Sequence, residues 1–157
     1  MTVSHRQTES SASPISVSLY SVQPDAFYDE KVREYLCDMI APALRPMEER
    51  YSPEHIIDEC SKGNMQMWLA AAEGEGFHEN RAAMVTEILE YPRRRVCSVL
   101  FLAGEKMESW LHLYRELEHW AIQNGCSEIE VLGRKGWERV MGQFGFKHCY
   151  TALTKEI

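Results

Sequence analysis

Ile15, Val17 and Leu19 alternate with Ser16, Ser18 and Tyr20. This period of two predicts a strand with one buried face. The spacing then lengthens: Tyr28, Val32, Tyr35, Leu36, Met39, Ile40 and Ala43 recur at helical intervals and make one apolar stripe. Pro24 suits the first turn of that helix, where a missing N–H costs nothing, and Asp25 meets the positive end of its dipole. Pro42 and Pro46 end or kink it. Ser52-Pro53-Glu54 marks a second helix start, with Ser52 as N-cap. Ile56, Ile57 and Cys60 form its short apolar face, and Gly63 is its stop.

The middle of the chain changes period again. Residues 65–72 are apolar, residues 73–80 are polar and carry glycines, and residues 81–91 and 93–103 are apolar on either side of Pro92. This predicts three strands in an antiparallel meander, with 73–80 as a loop. Trp110, Leu113, Tyr114, Leu117, Trp120 and Ala121 then define the clearest helix, stopped by Asn124-Gly125. Residues 128–132 predict a short strand, 137–144 a short helix stopped at Gly145, and 146–157 a last strand. The order is β-α-α-β-β-β-α-β-α-β. Its strand–helix–strand unit implies a parallel pair with a right-handed crossover. The fold class is therefore α+β (mixed α/β), a central mixed twisted sheet with helices on both faces. Residues 14–157 form one domain, and the polar, Ser/Thr-rich residues 1–13 are expected to be a flexible tail.

Composition narrows the function. With 157 residues, 45% of them hydrophobic, the chain can bury a core without staples. The net charge of −7 is the wrong balance for general nucleic-acid binding. It is uneven: residues 1–80 hold 6 Lys/Arg against 14 Asp/Glu, and residues 81–157 hold 11 against 10. An anionic ligand is therefore expected on the C-terminal half, and a cationic acceptor suits the N-terminal half. The five cysteines are odd in number and lack C-x-x-C spacing, and the histidines are scattered. Neither a disulfide framework nor a metal site is expected. No apolar run reaches the roughly 18–20 residues that span a bilayer, and no secretory signal is read.

The segment around Trp120-Ala121, Gly125-Cys126, Gly133-Arg134, Gly136-Trp137 and Gly145-Phe146 resembles the C-terminal part of GNAT (Gcn5-related N-acetyltransferase) proteins, in particular the GNAT-like proteins of tailed bacteriophages and prophages. The resemblance implies an acyl-CoA-dependent N-acyltransferase in the cytoplasm, that of a bacterial host if phage-encoded. Its co-substrate would be acetyl-CoA or another acyl-CoA. Its acceptor would be an amine, and a homodimer is compatible with it. It further implies that the fourth strand splays from the fifth around the pantetheine, and that the pyrophosphate sits on N–H groups at the following helix start. Here the cofactor-binding residues would be Phe101, Leu102, Ala103, Gly104, Lys106 and Met107, with a backbone N–H near 101–103 as oxyanion donor. Arg134 adds a charge for an anion or an acidic partner.

Two departures stand out. The turn after residue 103 has one glycine and two acids, Glu105 and Glu108. Counting four residues back from Gly145 reaches Met141, where many such enzymes carry the Tyr that protonates the leaving thiolate. The acid must then come from elsewhere, with Tyr150 and His148 as candidates. Glu87 and Glu90 are the carboxylates placed to act as base. The rival reading follows from the same departures: a catalytically inactive GNAT-fold protein that works by binding a host or virion protein.

Overall fold

The computed structural model describes residues 14–157, and the tail expected over 1–13 lies outside the described residues. Strand β1 (Ser16–Ser21) forms where the alternation predicted it and pairs antiparallel with β2 (Gln66–Gly74). Helix α1 (Glu30–Leu44) starts later than Pro24, which opens a separate 3-10 turn. The reason is Asp29, whose carboxylate accepts from the N–H groups of Lys31 (2.9 Å) and Val32 (3.2 Å) and caps the helix there. Pro42 lies inside α1 without ending it. Helix α2 (Pro53–Ser61) is capped by Ser52, whose Oγ accepts from His55 N–H at 3.2 Å.

Strand β3 (Phe77–Glu90) corrects the expected loop over 73–80. Gly76, at φ 65°, turns the chain in a way other residues resist. The polar residues on either side therefore extend the ladder. His78 lies opposite Glu73, and their side chains meet at 3.0 Å. Strand β4 (Arg95–Gly104) pairs antiparallel with β3, and β5 (Glu128–Val131) pairs parallel with β4. The sheet order is β1-β2-β3-β4-β5. Leu36, Ile40, Ile56 and Ile57 bury one face of the sheet against Val85 and Phe101. Leu117 and Ala121 of α3 (Tyr114–Gln123) bury the other against Trp68, Cys97 and Val99. This is the mixed sheet with helices on both faces that the sequence predicted.

Helix α3 begins four residues beyond the expected Trp110. The Trp110 indole N–H donates to the Glu105 carbonyl at 2.7 Å, which holds residues 107–113 in two 3-10 turns. Helix α4 (Gly136–Met141) continues into a 3-10 turn and stops at Gly145, φ 89°. The last strand expected over 146–157 does not form. Phe146 packs edge-on against Tyr114 at 5.3 Å, so the chain does turn back toward β5. But β5 offers only 4 residues of edge. His148 also meets the Thr151 hydroxyl at 3.2 Å, a contact between residues three apart that an extended strand, which sends them to opposite faces, does not allow. Tyr150, Leu153 and Ile157 remain exposed. Among the described residues, no helix is long and apolar enough to cross a membrane.

Candidate active site

Strands β4 and β5 stay paired only from Val96–Glu128 to Val99–Val131, with one further bond from Leu132 N–H to the Val99 carbonyl at 3.0 Å. Beyond Val99, β4 continues to Gly104 beside β3, while the chain leaves β5 for α4. The sheet opens there. On the β3 side, Thr86 faces Val99 and Val85 faces Phe101, so Leu100 is an extra, bulged residue. The bulge resets the alternation. Leu100 and Phe101 both join the cluster under α1 and α2, and Leu102 turns to the α3 face. The bulge thus falls one residue before the segment Phe101–Ala103, where the resemblance implies the oxyanion donor. No side chain at 99–101 signals this, because a bulge is an event of backbone pairing.

On the α3 face an apolar cavity of about 60 Å³ meets this opening, lined by Val99, Leu102, Tyr114, Val131, Trp137 and Met141, among others. Trp137 stands so close to Gly133 that a Cβ there would lie 2.7 Å from its ring. Glycine at 133 is therefore what lets the indole fold back into the opening. Met141 is buried and lines the cavity, so the position expected to carry a phenol does face the right space but brings a thioether. Tyr114 supplies a phenol to the same cavity. In the sequence it is one member of the apolar stripe of α3. Its ring is held by Phe144 at 4.9 Å and by Phe146. Burial first, then the hydrogen bond and charge of Glu118, raise its pKa and keep it protonated.

The turn after β4 is built against β3. A Cβ on Gly104 would lie 2.6 Å from both the Ala82 Cβ and the Arg81 carbonyl. Glycine here serves strand packing. Ala82 pairs with Ala70 and Asn80 with Ala71, so Arg81 is itself a bulged residue. Its carbonyl accepts from Glu105 N–H at 2.9 Å. Lys106 follows in the left-handed region, φ 54° and ψ 48°, which is uncommon for a residue with a Cβ. The N–H groups of Lys106, Met107 and Glu108 carry no hydrogen bond among the described residues, and Met107 is exposed. Lys106 Nζ and Arg81 Nε both reach Glu79 Oε1, at 3.0 and 3.1 Å. Arg134 is exposed and has no side-chain partner among the described residues. It lies three positions before Trp137.

The carboxylates gather on the opposite face. Glu87 lies across from Ser98, and Ser98 across from Glu130, so the three form a row over β3, β4 and β5. Ser98 is fully buried, and its hydroxyl donates to Glu130 Oε1 at 2.7 Å. Burial first, then the charge of Glu59 on α2, raises the Glu87 pKa. A carboxylate so tuned is a better base than an exposed one. Glu90 is instead exposed and paired with Arg95. Tyr150 is 62% exposed. The charge of Glu130 first raises its phenol above the usual value, and it is not among the residues that line the cavity. Glu130 itself was missed, although Glu128-Ile129-Glu130-Val131 alternates openly enough to have placed it. Among the described residues no cluster of His, Cys, Asp or Glu could hold a metal ion.

No family profile matches the chain and no curated protein matches its sequence. Solved structures do match its fold. A transcriptional regulator from Bacillus halodurans superposes with TM-score 0.64 at 17% identity, covering 90% of this chain and 99% of that one. A probable acetyltransferase gives 0.63 at 10% identity, covering 88% and 97%. An aminoglycoside N-acetyltransferase in complex with CoA gives 0.62 at 12% identity, covering 92% and 95%. At these identities the likeness establishes the fold, which is that of GNAT acetyltransferases.

Proposed function

We propose that this chain is an acyl-CoA-dependent N-acyltransferase acting in the cytoplasm on a cationic amine. The observation that carries the reading is the opening of β4 from β5 after Val99, with a bulge at Leu100 and an apolar cavity beside it. A pantetheine arm fits such an opening because β4 offers unpaired backbone groups along one side. The open N–H groups of Lys106–Glu108 suit the pyrophosphate, with Lys106 and Arg134 as nearby cations and Met107 at the rim. The solved relative that holds CoA supports this choice of co-substrate.

The chemistry follows from position. The thioester carbonyl lies against the bulge, where a backbone N–H between Leu100 and Ala103 stabilises the oxyanion that develops. The acceptor ammonium first gives one proton to water; the neutral amine nitrogen then bonds to the carbonyl carbon, and Glu87, next to the bulge along the sheet, takes the second proton that the nitrogen loses. The carbon–sulfur bond then breaks. Tyr114, the phenol of the cavity, returns a proton to the leaving thiolate. Tyr150, exposed on the C-terminal segment, is the second candidate phenol. Most of the rate enhancement comes from holding the two substrates together.

Thermal denaturation with added acetyl-CoA tests the reading. A ligand at about 100 times its Kd adds roughly 2.7 kcal/mol, about 5–10 °C for a domain of this size. No shift at millimolar acetyl-CoA refutes it. A second reading rests on Met141, a thioether where a proton donor is expected: a GNAT-fold protein that has lost catalysis and binds a macromolecule, such as a host or virion protein. It predicts no transfer to any amine.

A further inference from the structure

Glu79 stands at the turn that the proposed phosphates would approach. A single oxygen of its carboxylate accepts from both cations of this edge, Lys106 Nζ at 3.0 Å and Arg81 Nε at 3.1 Å. Arg81 is aimed here by the β3 bulge, and its carbonyl anchors Glu105. Lys106 is aimed here by its left-handed backbone. The N–H groups of 106–108 stay open beside them. We propose that Glu79 is an intramolecular competitor for the ligand's phosphates, setting affinity by occupying the two cations that the phosphates would otherwise meet. The inference rests on the acyl-CoA reading of this turn.

Charge arithmetic gives the reason. Two cations and one carboxylate present a net single positive charge to an incoming polyanion. Lys106 first, then Arg81, holds the Glu79 carboxyl below the usual carboxylate range, so it is fully ionised at neutral pH. A phosphate cannot share Lys106 and Arg81 with it without close like-charge contact. Binding therefore exchanges one anion for another. Glu79→Gln keeps the size and a weaker hydrogen bond, and leaves both cations to the ligand.

Titration calorimetry on the full chain tests this with three probes: CoA, pantetheine and inorganic pyrophosphate. In low-salt buffer E79Q is expected to bind CoA about five- to tenfold more tightly than wild type, the gain shrinking as salt is added. Pantetheine, which has no phosphate, is expected to bind both proteins equally. Equal CoA affinity overturns the proposal, and so does a gain of the same size for pantetheine. The melting temperature is expected to change by less than about 2 °C, since the Lys106 pair is exposed and contributes little and the glutamine keeps an acceptor for the part-buried Arg81 Nε. A larger fall with weaker binding of both ligands makes Glu79 a structural residue and also overturns the proposal. If wild type binds no CoA, the acyl-CoA reading has failed by itself. Pyrophosphate then decides for Glu79: it must still bind E79Q more tightly than wild type, or the competitor idea falls too.

Discussion

Gly104→Ala adds one methyl at the point where β4 comes closest to β3. The ideal Cβ position is 2.6 Å from the Ala82 Cβ, 2.6 Å from the Arg81 carbonyl oxygen and 2.8 Å from the Ala82 Cα. All three atoms belong to backbone or to a Cβ, so none swings aside as a long side chain would. The strands must separate locally, which strains the Glu105–Arg81 hydrogen bond of 2.9 Å. Overpacking of this kind costs about 1–3 kcal/mol. For a chain of this length that lowers Tm by about 2–12 °C. Ala82→Gly removes one of the three contacts, so the double variant recovers part of the loss, and a double-mutant cycle reads the coupling directly. Calorimetric melting of the four proteins is the assay. A G104A protein that melts within about 1 °C of wild type, or a cycle with no coupling, refutes the close approach.

Thr86→Val removes the buried acceptor of the Trp68 indole N–H (3.0 Å) and the donor to Gln66; urea unfolding is expected to show a loss of about 1–3 kcal/mol. Ser98→Ala leaves Glu130 without its 2.7 Å donor and is expected to cost about 1–2 kcal/mol by the same measurement. Glu87 has a folded pKa above its ordinary 4.5, so its contribution to stability is full below that value and is lost as pH rises through the folded pKa. Glu87→Gln is expected to flatten the wild-type fall in Tm over that window, and an unchanged slope counts against the assignment. Tyr114→Phe is expected to lower kcat about 10²–10⁴-fold at unchanged CoA affinity, with Met141→Tyr restoring part of it. Loss of CoA binding instead of kcat would return Tyr114 to packing.

What the sequence made legible follows from how each feature is encoded. Elements written in side-chain periodicity were readable: β1 from Ile15-Val17-Leu19, α2 from its Ser52 cap, α4 from the Gly145 stop. Features set by competition between neighbours were not. Asp29 outcompetes Pro24 as the start of α1, and the Trp110 indole, by bonding the Glu105 carbonyl, delays α3. The turn at Glu75-Gly76 was hidden because polar flanks read as a loop although they pair in register. The last strand carries strand-like residues, yet pairing needs a partner edge longer than β5 supplies. Within the proposed site, Glu87 is reachable from residue type and position. Tyr114 is not, since a helical stripe gives no hint that one of its members lines a cavity. Tyr150 is a candidate by nearness in sequence, and in the fold it stands exposed.

The two bulges explain why the site sits where it does. In a regular sheet every second residue of β4 would face the same side, and one face could not be rebuilt without the other. The extra residue at Leu100 breaks that link. Below it, Ser98 points toward Glu87 and Glu130 while Val99 points toward α3. Above it, Phe101 fills the core under α1, and Leu102 turns into the cavity. A ligand threaded through the opening after Val99 therefore has an apolar wall on one side and a row of carboxylates on the other. The bulge at Arg81 does the matching work on β3, turning a carbonyl and a guanidinium toward the end of β4. Deleting Leu100 or Arg81 restores regular alternation at either place and leaves the flanking side chains on the faces they already occupy. Deletion of Leu100 would keep Phe101 under α1 and Leu102 at the cavity and remove only the bulge, so it is expected to weaken CoA binding while the sheet still forms; unchanged CoA affinity would take the bulge out of the site.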